Sequence, residues 1–232
     1  MSKKEFPSNS VIESLISKGN LKQDIYINTM NAFNLLKNSA IIFNEVWNEK
    51  YSVDVQRVQL EFTEQNIHEF KLKFAGDTLV FMMHTNIFEF PRAHEIMKLP
   101  YVKENPNRAY CGVVNIYNFL SDSFKYKRIN DSGYLVGRIF VNFENHYFVE
   151  GKKEIAMLVN NFTKNEFDKD KANEIVESAV QYSIDFDLLI PPYDIVKEVL
   201  VLDILQSELQ GSSMKTAKRM GFRFQADKDI FE

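Results

Sequence analysis

The chain has 232 residues, of which 45% are hydrophobic and 26% charged, with a formal net charge of -4 and a sequence pI of about 5.7. A chain of this size can bury a large core without a disulfide or a structural metal. The net charge gives no global basic field, so we do not expect a nucleic-acid partner. The single cysteine, Cys111, excludes an intramolecular disulfide and a cysteine-based zinc site.

Targeting and membrane signals are missing from the sequence pattern. The first seven residues are not followed by the apolar stretch of a signal peptide. The densest apolar run, residues 79–83, is interrupted at His84 and is far shorter than the roughly 18 residues of a membrane helix. We therefore expect a soluble, cytoplasmic protein that does not bind membranes.

The N-terminal part predicts two helices. The first begins at a capping box, Ser10-Val-Ile-Glu13, and is expected to end near Gly19. A longer helix is predicted over residues 22–49, where apolar side chains recur three or four residues apart and form one stripe. Such a stripe either packs on a sheet, which we prefer, or pairs with a second copy of the chain in a homodimer.

The middle of the chain, residues 55–150, has the alternating pattern of strands. Apolar and charged residues alternate over 58–62 and again over 68–74, and short polar turns such as Ala75-Gly76-Asp77 separate the segments. Residues 79–90 are apolar on both faces, which predicts a central strand. Further strands are expected over 110–120, 134–143 and 146–149, with a turn at 130–133.

Helical periodicity returns after residue 152. We predict helices near 152–162, over 169–187 and over 194–210, the second of which ends before Pro191-Pro192. The fold class is therefore α+β, with an antiparallel sheet of about five to seven strands flanked by N-terminal and C-terminal helices. Residues 1–211 are expected to form one domain, and residues 212–232 a partly disordered tail.

One catalytic pattern stands at the end of the strand region. Asp131 precedes the strand pair 134–149, and Glu150-Gly-Lys152 follows it. Two carboxylates of this kind hold Mg²⁺ while a lysine positions or polarises the attacking water. Residues 131–152 resemble the core of the PD-(D/E)xK nucleases, without the proline of that motif. The resemblance implies a magnesium-dependent nuclease or phosphoesterase that uses Asp131, Glu150 and Lys152.

Polar side chains that interrupt the apolar strands form a second pattern. They are His84, Asn86, Asn115, Tyr117, Arg138 and Asn142. A buried polar group needs a hydrogen-bonding partner, because leaving it without one costs about 1–3 kcal/mol. If these side chains converge, they outline a small-molecule pocket with apolar walls and a few polar anchors. No metal or cofactor is evident, since four scattered histidines rarely assemble a metal site.

Three functions remain open from the sequence. The leading hypothesis is a non-enzymatic module that binds a small ligand or a protein partner, as a homodimer through the 22–49 helix. The second is the magnesium-dependent nuclease. The third is a structural protein that assembles with copies of itself. We expect any site to lie in the strand region.

Overall fold

The protein is described by a computed structural model that covers residues 7–50, 58–151, 162–164, 166–186, 188–190, 192–202 and 217–218. Its centre is an antiparallel sheet, which confirms the α+β fold class. The strands are β1 Leu60–Asn66, β2 Glu69–Phe74, β3 Asp77–Met83, β4 Phe88–Glu89, β5 Tyr110–Leu120, β6 Tyr134–Val141 and β7 Tyr147–Gly151. Their order is β1-β2-β3-β5-β6-β7, and β4 pairs with the beginning of β5.

The predicted central strand over 79–90 is interrupted in the structure. β3 ends at Met83, residues 84–87 form a bend, and only Phe88 and Glu89 resume pairing with β5. The apolar pattern of residues 79–90 does not show this break, because apolar residues lie on both sides of it. The bend matters for function, since it places His84 and Phe88 at the rim of a cavity.

The two predicted N-terminal helices are one helix, α1 (Asn9–Lys50), so the expected end at Gly19 is wrong. A glycine within a helix costs only about 1 kcal/mol, which the packing of the later turns outweighs. The buried side chains of α1 lie between Ile25 and Ala40 and contact the sheet. The preferred sheet-packing interpretation of the stripe is therefore the observed one, whereas the homodimer stays a prediction.

A second long helix, α4 (Lys169–Ile184), packs beside α1 on the same face of the sheet. The Asp168 carboxylate caps α4 by accepting a hydrogen bond of 2.9 Å from the Lys171 backbone N–H. The main core lies between these helices and the sheet. Its fully buried side chains include Phe33, Leu36, Phe70, Phe81, Ile116, Ile139, Tyr147 and Ile175.

The described residues cover the opposite face of the sheet only in part. Two short 3-10 helices (Glu95–Lys98 and Pro106–Ala109) and α2 (Pro100–Glu104) lie over it. They share a second apolar cluster with Val113, Phe140 and Phe162. A further short helix, α3 (Ser121–Lys125), follows β5.

A β-bulge in β6 changes which side chains share a face. Ile116 pairs with Gly137 but Tyr117 pairs with Leu135, so Val136 is the extra residue. Val136 therefore belongs to the helix-covered core with Ile139, whereas Arg138 and Phe140 face the other way. Strict alternation along residues 134–143 would place Val136 and Arg138 on one face, and the bulge places them on opposite faces.

The C-terminal part is described in pieces. The short helix α5 (Tyr193–Val196) is followed by non-helical residues, so the predicted continuous helix from 194 is wrong over its first turns. Strand β8 (Leu188–Leu189) pairs with β9 (Ala217–Lys218), which lies within the predicted tail. The predicted helix near 152–162 falls almost entirely outside the described residues. No helix in the described part of the chain combines the length and apolar character needed to cross a membrane.

Candidate functional site

A cavity of about 380 Å³ opens on the sheet face that α1 and α4 leave uncovered. Such a volume falls within the range of small-molecule sites. Its floor comes from β5, β6 and β7, and its rim from the bend after β3, from β4 and from the start of the following 3-10 helix. The lining residues are His84, Phe88, Glu89, Phe90, Pro91, His94, Val113, Asn115, Arg138, Phe140 and Glu150.

Strand register explains how the polar floor forms. Asn115 lies opposite Arg138, and Arg138 lies opposite Glu150, so the three residues form one cross-strand row. The neighbouring row is apolar and contains Val113 and Phe140. Directly paired residues project to the same face of a sheet. A polar row and an apolar row therefore lie side by side under the cavity.

Arg138 and Glu150 form an ion pair at the edge of this floor. Arg138 Nε donates to Glu150 Oε2 at 2.8 Å, and Arg138 Nη2 donates to the same oxygen. The guanidinium carbon also lies 5.4 Å from the centre of the Phe140 ring. The two side chains are 42% and 46% exposed, so the pair contributes at most about 1 kcal/mol to stability. The arginine charge is thus balanced within the site.

The two histidines of the rim have the same local geometry. His84 Nδ1 accepts a hydrogen bond of 3.0 Å from the Asn86 backbone N–H. His94 Nδ1 accepts one of 3.3 Å from the Ile96 backbone N–H and thereby caps the 3-10 helix. A nitrogen that accepts an N–H bond carries no proton, so each ring is the neutral tautomer with its proton on Nε2. Between described residues, no hydrogen bond involves Nε2 of either ring.

This tautomer has a chemical consequence. Nε2–H is a hydrogen-bond donor and has no lone pair for a metal, because a metal-binding Nε2 requires the proton on Nδ1. The two rings are therefore arranged to bind an acceptor atom rather than a cation. Within the described ranges, no group of three or more His, Cys, Asp or Glu side chains is placed to hold a metal ion.

Aromatic rings form the walls of the cavity. His84 packs edge-on against Phe88 with centroids 4.7 Å apart, and Phe90 packs against Phe140 at 4.9 Å. Phe140 is buried, but Phe88 is 44% exposed. An exposed phenylalanine at the mouth of a cavity is available to contact a planar ligand.

Three predicted ligand residues lie elsewhere. Asn86 lines a separate cavity of about 740 Å³ beside α1, together with Tyr26 and Lys22. Tyr117 follows Asn115 by two residues on β5 and does not line the 380 Å³ cavity. Asn142 is fully buried, and its Oδ1 accepts hydrogen bonds from the backbone N–H groups of Glu144 and His146, each at 3.0 Å. Its position supports a structural role in the turn between β6 and β7.

Asn142 also joins a partly buried polar cluster. Asn142 Nδ2 donates to the Tyr101 hydroxyl at 2.9 Å, and that hydroxyl donates to Glu144 Oε2 at 2.5 Å. Arg108 Nε donates to both Glu144 oxygens at 3.0 Å. Burial, followed by the bond to Glu144, raises the pKa of Tyr101 well above its ordinary value. The cluster ties α2 and the adjacent 3-10 helix to the β6–β7 turn.

The predicted nuclease residues are only partly described. Asp131 Oδ2 accepts hydrogen bonds from Ser123 Oγ at 2.6 Å and lies 2.9 Å from Arg128 Nε. Glu150 is paired with Arg138 in the cavity floor. Asp131 is thus paired with Arg128, and Glu150 with Arg138. Lys152 lies outside the described residues. The magnesium hypothesis remains a prediction.

Several cavity residues were not found by sequence reasoning. The apolar pattern of residues 79–90 predicts one continuous strand. It therefore does not indicate that Phe88, Glu89 and Phe90 lie at the rim of the cavity. Pro91 is the residue that indicates the end of the strand. A proline has no backbone N–H to donate to a neighbouring strand, so pairing ends shortly after these residues. Cys111 pairs with Phe88 and is fully buried, and burial raises the pKa of its thiol, in keeping with a core role.

Comparisons with models of protein families, with curated proteins and with solved structures find no match to this chain.

Proposed function

We propose that the protein is a non-enzymatic module that binds a small molecule in the cavity between β4 and the β5–β6–β7 floor. One observation carries this proposal. Polar groups and aromatic rings from four separate segments converge on a single concave site, and two of the polar groups are histidines whose backbone bonds leave Nε2–H unused by the described residues.

The cavity has the usual character of a ligand site. Its walls are mainly aromatic, and a few polar groups at fixed positions provide orientation. The polar floor is fixed by strand register, so it needs little rearrangement on binding. Limited rearrangement favours affinity, because less side-chain freedom is lost when the ligand binds.

Thermal unfolding in the presence of a metabolite panel tests the proposal. A ligand at one hundred times its Kd stabilises the native state by about 2.7 kcal/mol, which is a measurable rise in Tm. The rise should be reduced in Phe88→Ala, which removes an exposed wall of the cavity. Phe124→Ala is the matched control, since Phe124 is 42% exposed and does not line the cavity.

Two outcomes would contradict the proposal. The first is a panel in which no compound raises Tm. The second is a rise that both phenylalanine variants retain, because the ligand would then bind elsewhere. A rise that requires Mg²⁺ and disappears in Glu150→Gln would instead favour the nuclease hypothesis.

A further inference from the structure

The charges around the cavity limit which ligands it accepts. The lining contains one arginine, Arg138, whose charge is balanced by Glu150. Glu89 adds a second carboxylate, and the two histidines are neutral in the tautomer that their backbone hydrogen bonds imply. Among the residues that the structure describes, the lining therefore provides no unbalanced positive charge. A phosphate or carboxylate placed there would lose hydration without gaining an opposite charge.

A cationic ligand is opposed by different groups. An ammonium group would gain a bond to Glu89, but the two Nε2–H groups are donors that cannot accept a bond from it, and Glu150 already balances Arg138. The aromatic walls could attract a cation, but the neighbouring donors would be left without acceptors. The site is therefore best matched by a neutral molecule.

Hydrogen-bonding groups define the ligand further. The histidine Nε2–H groups need acceptors, the Asn115 amide can both donate and accept, and Glu89 can accept from a donor. The rings of Phe88, Phe90 and Phe140 provide apolar surfaces for a flat molecule. A flat molecule with ring-nitrogen or carbonyl acceptors and an amino or amide donor satisfies both sets of groups.

We infer that the ligand of this cavity is a neutral, planar nitrogen heterocycle that carries both acceptors and a donor, of the chemical class of a nucleobase or a pyridine amide. This inference rests on the proposed function and specifies its ligand. The aromatic walls stack on the heterocycle, the histidines donate to its acceptors, and the Arg138–Glu150 pair remains intact.

Isothermal titration with two compounds of nearly equal shape tests the charge selection. Nicotinamide is neutral and nicotinate is its anionic counterpart, and adenine and benzylammonium extend the series to a second heterocycle and to a cation. We expect nicotinamide or adenine to bind at least tenfold more tightly than nicotinate and benzylammonium. The Kd of the neutral ligand should change little between low and high salt, because no net charge is neutralised.

Site-specific variants connect the binding to the cavity. Phe88→Ala and His84→Leu should each weaken the neutral ligand at least tenfold, whereas Phe124→Ala should leave its Kd unchanged. Two-bond ¹⁵N–¹H NMR spectra should show the His84 and His94 rings with their proton on Nε2. Rings protonated on Nδ1 would overturn the inference, because the donors would then be acceptors.

The failures can be told apart. Equal or tighter binding of nicotinate or benzylammonium overturns the inference on ligand class. It is also overturned if neither neutral compound binds while the wider panel yields another ligand that depends on Phe88, although the binding function then stands. If neither the series nor the panel yields a ligand that depends on Phe88, the inference and the proposed function both fail.

Discussion

Tyr101 and Tyr147 are both buried tyrosines, but their hydroxyl groups have different surroundings. The Tyr101 hydroxyl bonds Glu144 and Asn142, as described above. The Tyr147 hydroxyl is buried and has no hydrogen-bond partner among the described residues. Its ring packs edge-on against Phe167 at 4.8 Å, so its contribution to the core is apolar. Tyr101 thus takes part in a hydrogen-bond network, whereas Tyr147 contributes apolar packing.

Tyr147→Phe should leave the free energy of unfolding unchanged or raise it by up to about 1 kcal/mol. The substitution removes a hydroxyl group that has lost its hydration and gained no bond from the described residues, and it keeps the ring. Urea denaturation followed by circular dichroism measures the change. A loss of more than 1 kcal/mol would show that the hydroxyl is bonded in solution.

The two tyrosines also predict a dependence of stability on alkaline pH. Burial is the main cause that raises the pKa of each, aided by Glu144 for Tyr101 and by Asp168 and Glu174 for Tyr147. The unfolded chain releases these protons near pH 10, before the folded chain does. The stabilisation is therefore complete below about pH 10 and is lost as pH rises above it.

Urea denaturation at pH 9, 10 and 11 tests this dependence. The free energy of unfolding should fall over this interval, and the fall should be smaller in Tyr101→Phe, which lacks one of the two groups. An equal fall in the variant would mean that Tyr101 ionises normally in the folded protein.

Individual site residues were predictable to different degrees. His84 and Arg138 could be recognised as polar residues within apolar strands, and the structure brings both to the cavity. Asn142 is likewise a polar residue in an apolar stretch of sequence. Its side chain instead accepts a hydrogen bond from the Glu144 backbone N–H in the β6–β7 turn and donates one to the Tyr101 hydroxyl. Periodicity shows which face a residue occupies, whereas its hydrogen-bonding partner depends on segments far away in the chain.

At the scale of single elements, the crossing of α1 over β5 depends on Gly112. A Cβ added at Gly112 would lie 2.0 Å from Thr29 Oγ1 and 2.8 Å from Thr29 Cβ. Thr29 is fully buried and donates a hydrogen bond of 2.7 Å to the Ile25 carbonyl, so it cannot swing aside freely. The helix can approach the strand this closely only because residue 112 has no side chain.

Gly112→Ala should therefore lower the free energy of unfolding by about 1–3 kcal/mol, the usual cost of overpacking a core. Gly19→Ala is the matched control, since Gly19 lies within α1 and an added Cβ there meets nothing within 4 Å. That control should raise stability by about 0.5–1 kcal/mol, because alanine favours the helix. Equal effects of the two substitutions would contradict the close crossing.

The turn between β2 and β3 contains a second backbone constraint. Ala75 has a φ of 47°, in the left-handed region that alanine rarely adopts. The paired residues Phe74 and Asp77 flank it, so the turn contains only Ala75 and Gly76. The sequence predicted this turn correctly, but not the conformation of its first residue.

Ala75→Asn should raise the free energy of unfolding by up to about 1 kcal/mol, because asparagine tolerates the left-handed region. Ala75→Val should lower stability, since a β-branched side chain is strained there. Thermal unfolding of the three proteins gives the order directly. Stability that is insensitive to both substitutions would mean that the turn relaxes in solution.

At the scale of the whole molecule, α1 extends beyond the body that it packs on. Its buried residues begin at Ile25, and every residue from 9 to 18 is exposed. The exposed part carries four apolar side chains: Val11, Ile12, Leu15 and Ile16. These residues contribute little to the core of the chain, so their substitution should not affect folding.

The double variant Leu15→Gln/Ile16→Gln should change the free energy of unfolding of the monomer by less than about 0.5 kcal/mol. Phe33→Ala on the same helix provides the contrast, with an expected loss of about 3–5 kcal/mol because Phe33 is fully buried. Size-exclusion chromatography with light scattering of the unsubstituted protein tests the homodimer that the sequence predicts through residues 22–49. A large loss of stability in the double variant at low concentration would show that these turns pack on the body.

The fold class could be predicted because it depends on patterns that repeat along many residues. Alternation over 58–74 and the stripes of α1 and α4 each involve enough side chains to outweigh a local exception. The short strand β4, the bulge at Val136 and the continuity of α1 through Gly19 each depend on one or two residues. Tertiary packing decides such positions, so the cavity rim could not be placed from the sequence.

The order of the strands also has a kinetic consequence. Tight turns join β1, β2 and β3, and β7 follows β6 with only residues 142–146 between them, so much of the sheet can assemble from contacts close in sequence. The contact between α1 and α4 instead closes a loop that contains residues 51–168. Closing so long a loop costs conformational entropy, which is offset only when the contacts of the core form. We therefore expect hairpin amides to gain protection from hydrogen exchange before those of the two helices during refolding.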